Sequence, residues 1–240
     1  MDPFASNYDP TATIDDGSCL YPGCTDPMAI NYCSSCNVSD PASCIFPMAN
    51  ALDFCDDLES ASLTTSDWTT LTGSEAGQFI GLTVANAIAD TVSLESTGAD
   101  VSAGWTLYST EADAFANVSH VNSATILFDM SAQSGIVNLG LDYATQSGFT
   151  NTAVGLVGTA YSTMRVKVNG NVVTDINGVS WHGAETLTSL TYDLSSMAGD
   201  SSVYVTFETA CKYNSSTGNG DFVWIDNVCA YEVLPCTNYG

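Results

Sequence analysis

From residue 49 onward, short segments of alternating apolar and polar residues are separated by Gly, Ser, Asn and Asp. In STMRVKVNGNVV, apolar residues alternate with Arg165 and Lys167, and Asn169-Gly170 is typical of a two-residue hairpin turn. DFVWIDNVCAYEV is apolar at successive positions, which predicts a strand in the middle of a sheet. The pattern predicts an all-β sandwich. The positions predicted to face its core include Val137, Leu139, Leu141, Tyr143, Met164, Val166, Val168, Val203, Val205 and Phe207.

The first 47 residues follow a different pattern, an internal repeat. MDPFASNYDPTATIDDGSC aligns with TDPMAINYCSSCNVSDPASC, with Asp2 opposite Asp26 and Cys19 opposite Cys44. Repeats of this size are typical of modular arrays. We therefore expect short Cys/Asp repeats at 1–24 and 25–47, a jelly-roll sandwich at 48–233 and a linker to a following repeat at 234–240.

The charge is strongly unbalanced, with 3 Lys and Arg against 27 Asp and Glu and a formal net charge of −24. This charge disfavours nucleic acid and anionic membrane as partners. Carboxylates at this density repel one another, and Ca²⁺ is the cation that such oxygen ligands favour. No apolar run reaches the length of a membrane helix, and Met1 begins no signal peptide, so we expect no membrane insertion and a chain that has been processed or cut from a longer one.

Nine cysteines indicate disulfides and therefore a location outside the cytosol. Segments as short as the repeats bury too little apolar surface to be stable without crosslinks, so we predict bridges Cys24–Cys44 and Cys33–Cys36. The CxxC at Cys33 and Cys36 could also bind zinc, but no second CxxC or paired His follows at the required spacing. Cys19 has no second cysteine within its own repeat with which to form a disulfide. We expect it to bridge to a cysteine of a neighbouring copy in a head-to-tail array.

The loop of the first repeat carries side-chain oxygens around Gly17, which allows a tight turn. Two interpretations stay open, a calcium loop and a solvated turn in which Asp and Gly are favoured for local hydrogen bonding. The candidate calcium ligands are Asn7, Asp9, Asp15 and Asp16.

Three landmarks, DFCDDLES…DW, LTYDLSSMAGDSSVYVTFETA and FVWIDNVCAYEV, resemble the MAM-like or cleaved-adhesin jelly-roll domains of Bacteroidota surface proteins. The Cys/Asp repeat also resembles a short repeat of large secreted proteins of that phylum, often exported by the type IX pathway. Both resemblances imply an extracellular surface protein, with gliding or attachment as possible contexts. Asp90-Thr91-Val92 matches the O-glycosylation sites of these bacteria, so Thr91 is a candidate modified residue.

The resemblance implies a jelly roll whose first and last strands lie side by side, with a structural calcium near their junction. The implied ligands are Asp57 or Glu59 with Asp226; alternatively, Asp226 accepts backbone hydrogen bonds at a strand bend. The same topology makes Cys55 and Cys229 neighbours, and we expect them to form a bridge. This leaves Cys211 and Cys236, whose pairing strand position alone does not fix.

Catalysis is not expected, because the only histidines are His120 and His182 and the chain contains neither a G-x-S-x-G nor an HExxH motif. The expected function is a structural or adhesive module of a long surface adhesin or filament, in contact with neighbouring copies or other segments of the same chain. The alternative is a lectin-like module that binds surface glycans through Trp181 and Tyr161. For these two rings, a place at the end of the core is the competing interpretation.

Overall fold

The computed structural model describes most of the sandwich strands and parts of the repeats. The described residues are 2–3, 5–11, 17–25, 33–44, 49–52, 54–56, 58, 68–73, 79–83, 93–98, 110–116, 120–146, 162–183, 186–212 and 221–233. The chain divides into two compact units, Met1–Met48 and Ala49–Gly240. No helix in the described ranges is long and apolar enough to cross a membrane.

The described residues of the first unit form two short strands and a 3₁₀ turn and are crosslinked by disulfides. The two-residue strands β1 (Pro22–Gly23) and β2 (Val38–Ser39) pair in parallel, and a 3₁₀ turn spans Pro41–Ser43. Two disulfides stabilise this segment, as the sequence predicts: Cys24–Cys44 and Cys33–Cys36.

The second unit is a β-sandwich of two sheets. Sheet I contains β3 (Asn50–Ala51), β5 (Trp68–Gly73), β8 (Val121–Asp129), β10 (Ser162–Val168), β11 (Asn171–Val173), β12 (Trp181–His182) and β14 (Val203–Cys211). Sheet II contains β4 (Phe54–Asp56), β6 (Phe79–Thr83), β7 (Ser93–Thr97), β9 (Ile136–Gln146), β13 (Thr188–Asp193) and β15 (Phe222–Val233). A one-turn helix, α1 (Glu111–Ala114), and a second 3₁₀ turn, Ser195–Met197, lie outside the sheets.

Each sheet has a defined strand order, with additional short strands at the ends of its central strands. In sheet I, β10, β14 and β8 are central neighbours; β11 and β12 both pair with β10, and β5 and β3 both pair with β8. In sheet II, the order is β13, β9, β15, β7 and β6, and β4 also pairs with β15. The prediction of an all-β sandwich of jelly-roll type is confirmed.

The core lies between the two sheets, because side chains alternate between the two faces of each strand. Each of the predicted inward positions is 3% exposed or less. Phe207, for example, packs against the Trp68 ring with centroids 5.7 Å apart, and truncation of such a buried ring to Ala costs about 3–5 kcal/mol. The predicted hairpin is also present, with positive φ angles of 48° at Asn169 and 80° at Gly170.

The last strand, β15, is central in sheet II and contains a β-bulge. It pairs with β9 along its length, and on its other side first with β7 and then with β4. The register shifts between Asp226 and Cys229, and Asn227 has a φ of 49°. Such an extra residue changes which side chains point inward. Val228 therefore faces the core like Ile225, while Cys229 and Tyr231 join Trp224 on the opposite face.

Candidate functional site

The face of sheet II turned away from the core carries an exposed aromatic ring beside a glycine. Tyr231 is 37% exposed, and its ring lies 3.9 Å from the place where a Cβ of Gly140 would be. Gly140 is opposite Cys229 on β15 and Thr191 on β13. Because Gly140 has no side chain, the Cε1 edge of the Tyr231 ring approaches the backbone here while the residue remains partly exposed to solvent.

Two carboxylates stand directly opposite each other on the same face, Asp142 on β9 and Asp226 on β15. Like charges in this arrangement repel, so hydrogen-bond donors must stabilise them. Asp142 accepts hydrogen bonds from the Ser189 hydroxyl and, at 3.0 Å, from the side-chain amide of Asn227. Asp226 is fully buried and accepts hydrogen bonds from the Ser93 hydroxyl at 2.6 Å and the Asn227 N–H at 2.8 Å.

We name the exposed part of this surface the Tyr231 face; it comprises Tyr231, Gly140, Asp142, Ser189 and Asn227. Asp142 and Ser189 form one cross-strand row, and the Gly140 row lies two residues along the sheet. Two residues of a strand span about 6.7 Å. The arrangement offers a stacking surface and a network of acceptors and donors within the reach of one extended ligand.

The other end of the outer face contains a buried aromatic pair. The rings of Phe222 and Trp224 are stacked, with centroids 5.4 Å apart and planes inclined by 13°. The Trp224 indole N–H donates to Glu95 at 2.8 Å. Phe222 and Trp224 are 8% and 7% exposed, so this pair belongs to a satellite core rather than to an open surface.

The predicted calcium site at the strand junction is not assembled by the described residues. In this part of the chain, no group of three or more His, Cys, Asp or Glu side chains is placed to hold a metal ion. Asp226 accepts a backbone hydrogen bond at a strand bend, which is the alternative given for it above. Asp57 and Glu59, its predicted partners, lie outside the described residues.

In the first repeat, the described candidate ligands, Asn7 and Asp9, make hydrogen bonds within the repeat itself. Asn7 accepts from the Leu20 N–H and donates to the Ser18 carbonyl. Asp9 accepts from the hydroxyl and the N–H of Thr11, which hold its pKa below the usual value. The Asp9 contact with the Thr11 N–H is that of an Asx turn. Asp15 and Asp16 lie outside the described residues.

The prediction that Trp181 presents an exposed ring is wrong. Trp181 is 8% exposed and packs with Ala114 and Ala210, because β12 pairs with β10 and turns this side chain under α1. His182, next to it, is 4% exposed, and its ring packs edge-on against Tyr143 and Tyr192. Tyr161 and Thr91 lie outside the described residues.

Buried titratable groups surround His182. Burial lowers the pKa of His182, and the Asp175 carboxylate opposes only part of that effect. Burial raises the pKa of Tyr143 to about 12. Burial opposes the ionisation of Asp175 itself, but hydrogen bonds from Val179 and Asn177 hold the pKa of this carboxyl below its usual value. The cluster is closed to solvent and therefore not placed to meet a substrate.

The three Lys and Arg side chains of the chain are paired with carboxylates or buried. Arg165 pairs with Glu111 and Glu208 and lies 4.0 Å from the centroid of the Phe115 ring; Lys167 also pairs with Glu208. The third cation, Lys212, is 8% exposed. The accessible surface therefore has little positive charge with which to attract an anionic ligand.

The cysteines of the sandwich differ in state. Cys55 and Cys229 form the expected disulfide between β4 and β15. The state of Cys211, which strand position alone does not fix, is that of a buried free thiol. Its side chain faces the intersheet core, its thiol donates to the Ser96 carbonyl at 3.6 Å, and burial raises its pKa. Cys19 is also a free thiol, and Cys236 lies outside the described residues.

No protein-family model and no curated protein matches the chain. Solved structures with a similar arrangement include the C-terminal family 22 carbohydrate-binding module of Clostridium thermocellum Xyn10B, with 16% identity over 79% of this chain and 99% of that chain and a TM-score of 0.41. The CBM22-1 xylan-binding domain of Paenibacillus barcinonensis Xyn10C has 14% identity over the same shares and a TM-score of 0.39. TmCBM61, solved with β-1,4-galactotriose, has 10% identity over 74% of this chain and 94% of that chain and a TM-score of 0.39.

Proposed function

We propose that the chain is a non-enzymatic extracellular adhesive module whose sandwich binds neutral glycans through the Tyr231 face. The observation that carries the proposal is the exposed Tyr231 ring beside Gly140, on the same sheet face as Asp142. Sugar rings present C–H groups that pack on an aromatic face, while their hydroxyls require acceptors and donors nearby.

The polar groups of the Tyr231 face suit sugar hydroxyls. Each Asp142 oxygen accepts one hydrogen bond within the protein and retains a second lone pair. Ser189 is exposed, and its hydroxyl can accept as well as donate. Asp142 is half-buried, so its position is fixed before a ligand arrives.

The charge distribution selects neutral glycans over acidic ones. The net charge is −24, and the three Lys and Arg side chains are buried or paired with carboxylates. A sulfated or uronic-acid glycan would approach carboxylates without a cation to compensate. We therefore expect binding to neutral oligosaccharides that is insensitive to ionic strength.

The wider context that we propose is a long Bacteroidota-type surface adhesin, exported by the type IX pathway, in which copies or further segments follow one another. The resemblance of the Cys/Asp repeat and of the three sandwich landmarks supports this proposal. The described disulfides, Cys24–Cys44, Cys33–Cys36 and Cys55–Cys229, are typical of proteins outside the cytosol.

The proposal is tested on a glycan array with the full chain and three variants. Tyr231→Ala is expected to weaken binding about thirtyfold or more, because removal of a central aromatic ring costs about 2 kcal/mol or more. Tyr231→Phe retains the ring and is expected to retain most of the affinity. Tyr8→Ala, at a 44% exposed ring of the first unit, is the matched control.

Selective loss with Tyr231→Ala supports the site. Equal signals for Tyr231→Ala and Tyr8→Ala would contradict it, as would a preference for sulfated glycans that salt abolishes. The second candidate, a purely structural spacer, is favoured by the disulfides and predicts no glycan signal for any form of the chain.

A further inference from the structure

The Cys55–Cys229 disulfide joins the first strand of sheet II to its last strand. Cys55 is directly opposite Cys229, Phe54 is opposite Ala230, and Asp56 is opposite Val228. The strands are antiparallel, so the chain that precedes Phe54 and the chain that follows Ala230 leave the disulfide in the same direction. The 174 residue steps between the two cysteines form a covalently closed loop that contains most of the sandwich.

We infer that this disulfide is a mechanical clamp, which carries tension between the two ends of the sandwich and keeps the loop 56–228 out of the force path. Tension that enters at Phe54 and leaves at Ala230 crosses the sulfur–sulfur bond without passing through the loop. Two flanking segments, the chain before Phe54 and the chain after Ala230, are paired with strands of the loop. Strand pairs inside the loop therefore bear load only until these segments detach. This property concerns load and holds whichever ligand the Tyr231 face binds.

The flanking segments determine how far the chain extends before the clamp bears the load. On the N-terminal side, β3 is held to β8 by two residue pairs and by the amide of Asn50, which donates to the Leu127 carbonyl at 3.2 Å. On the C-terminal side, Ala230–Val233 pairs with Ile136–Leu139. Detachment of both segments releases about ten residues, or roughly 3.5 nm.

Without the disulfide, the same tension reaches the whole loop. Opening 174 residue steps adds about 60 nm at 3.3–3.6 Å per residue. The other two disulfides close loops of 20 and 3 residue steps, which correspond to about 7 nm and about 1 nm. The three bridges are therefore distinguishable by length alone.

The experiment is single-molecule force spectroscopy on the full oxidised chain, held by peptide tags at its two ends. The wild type is expected to show no step near 60 nm. When dithiothreitol is added under constant force, its thiolate forms a mixed disulfide with one cysteine sulfur, and the other cysteine leaves as a thiolate. One step of about 60 nm should follow. Adding the reductant to the folded chain avoids dependence on a variant that fails to fold.

Two variants complete the test. Cys55→Ser with Cys229→Ser should give the 60 nm step without reductant, whereas Cys33→Ser with Cys36→Ser, the matched control, should still require it. A 60 nm step in the oxidised wild type, or no such step after reduction, would overturn the inference. Glycan binding is measured separately, so failure of the clamp and failure of the proposed function are distinguishable.

Discussion

The same disulfide should dominate the thermodynamic stability of the sandwich. In the chain-entropy description, a crosslink stabilises a protein by an amount that grows with the logarithm of the closed loop. The loop of 174 residue steps gives about 5 kcal/mol, compared with about 3 kcal/mol for 20 steps and about 1.5 kcal/mol for 3 steps. Since domains are stable by only about 5–15 kcal/mol, loss of Cys55–Cys229 should remove a large share of the free energy of unfolding.

Urea denaturation followed by tryptophan fluorescence measures this effect, because all four tryptophans lie in the second unit. Cys55→Ser with Cys229→Ser is expected to lower the free energy of unfolding by about 5 kcal/mol. Cys55 is exposed and Cys229 half-buried, so the two Cys-to-Ser substitutions themselves add little. Cys33→Ser with Cys36→Ser should change this transition by no more than about 1.5 kcal/mol. Equal losses in the two variants would refute the loop-length reasoning.

Three further outcomes are expected. Gly98→Ala should lower the free energy of unfolding by about 3 kcal/mol or more in urea denaturation, because the new Cβ would lie 2.0 Å from the Cys211 carbonyl oxygen. In the matched control Gly135→Ala, the new Cβ meets only the flexible Glu232 side chain, so the loss of free energy should be smaller. Burial lowers the pKa of His182 below the ordinary value of about 6.5, so the free energy of unfolding should keep its full His182 contribution above that pH and fall as the pH drops below it. In urea denaturation at several pH values, the free energy of unfolding of His182→Gln should change with pH less steeply than that of the wild type, by up to about 1.4 kcal/mol per pH unit. If calcium binds beside Asp226 with a Kd of about 10⁻⁴–10⁻³ M, as the sequence suggests, millimolar calcium should raise the melting temperature of the wild type but not of Asp226→Asn, and a melt unchanged by EDTA would contradict this.

Much of the fold could be predicted because alternation is a direct consequence of strand geometry. Wherever a strand is regular, as in β10 and β14, the apolar positions of the sequence are the core positions of the structure. The hairpin at Asn169-Gly170 was predictable for a similar reason, since both residues must adopt positive φ. Bridges within the short repeat were also accessible, because few other groups can stabilise so small a segment.

The Tyr231 face could not be predicted, because the bulge in β15 reverses the alternation. A regular strand would place Tyr231 on the same side as Val223 and Ile225, in the core, and Val228 on the outside. The bulge after Asp226 has no side-chain signature beyond Asn227, which tolerates positive φ. Asp142 was missed for a different reason, since the role proposed for it depends on hydrogen bonds with Ser189 and Asn227, which are distant in sequence.

Trp181 shows a second limit of sequence reasoning. Its neighbours, Asn177, Gly178 and Ser180, are typical of a loop, and a loop aromatic is accessible in principle. Whether the ring is exposed depends on α1, which is distant in sequence and brings Ala114 against it. Glu111 also accepts a hydrogen bond from the Ser180 hydroxyl at 2.7 Å, which holds the helix on this segment. Tertiary packing, not local pattern, determines the role of Trp181.

The proposed glycan site and the proposed clamp meet on one strand, and their arrangement couples binding to load. Gly140, Asp142 and Ser189 lie inside the loop closed by Cys55–Cys229, whereas Tyr231 lies two residues beyond Cys229, in one of the two flanking segments that tension detaches before the clamp bears the load. A glycan that contacts both Tyr231 and Asp142 would hold Ala230–Val233 on β9, so a saturating neutral oligosaccharide should raise the force at which this segment, about four residues or roughly 1.4 nm, is released. Conversely, detachment of Tyr231 removes the stacking surface while the loop stays folded, so release of the ligand under load would be reversible. The test uses a glycan that binds the wild type but does not bind Tyr231→Ala. If this glycan leaves the detachment force of the wild type unchanged, binding and load are not coupled.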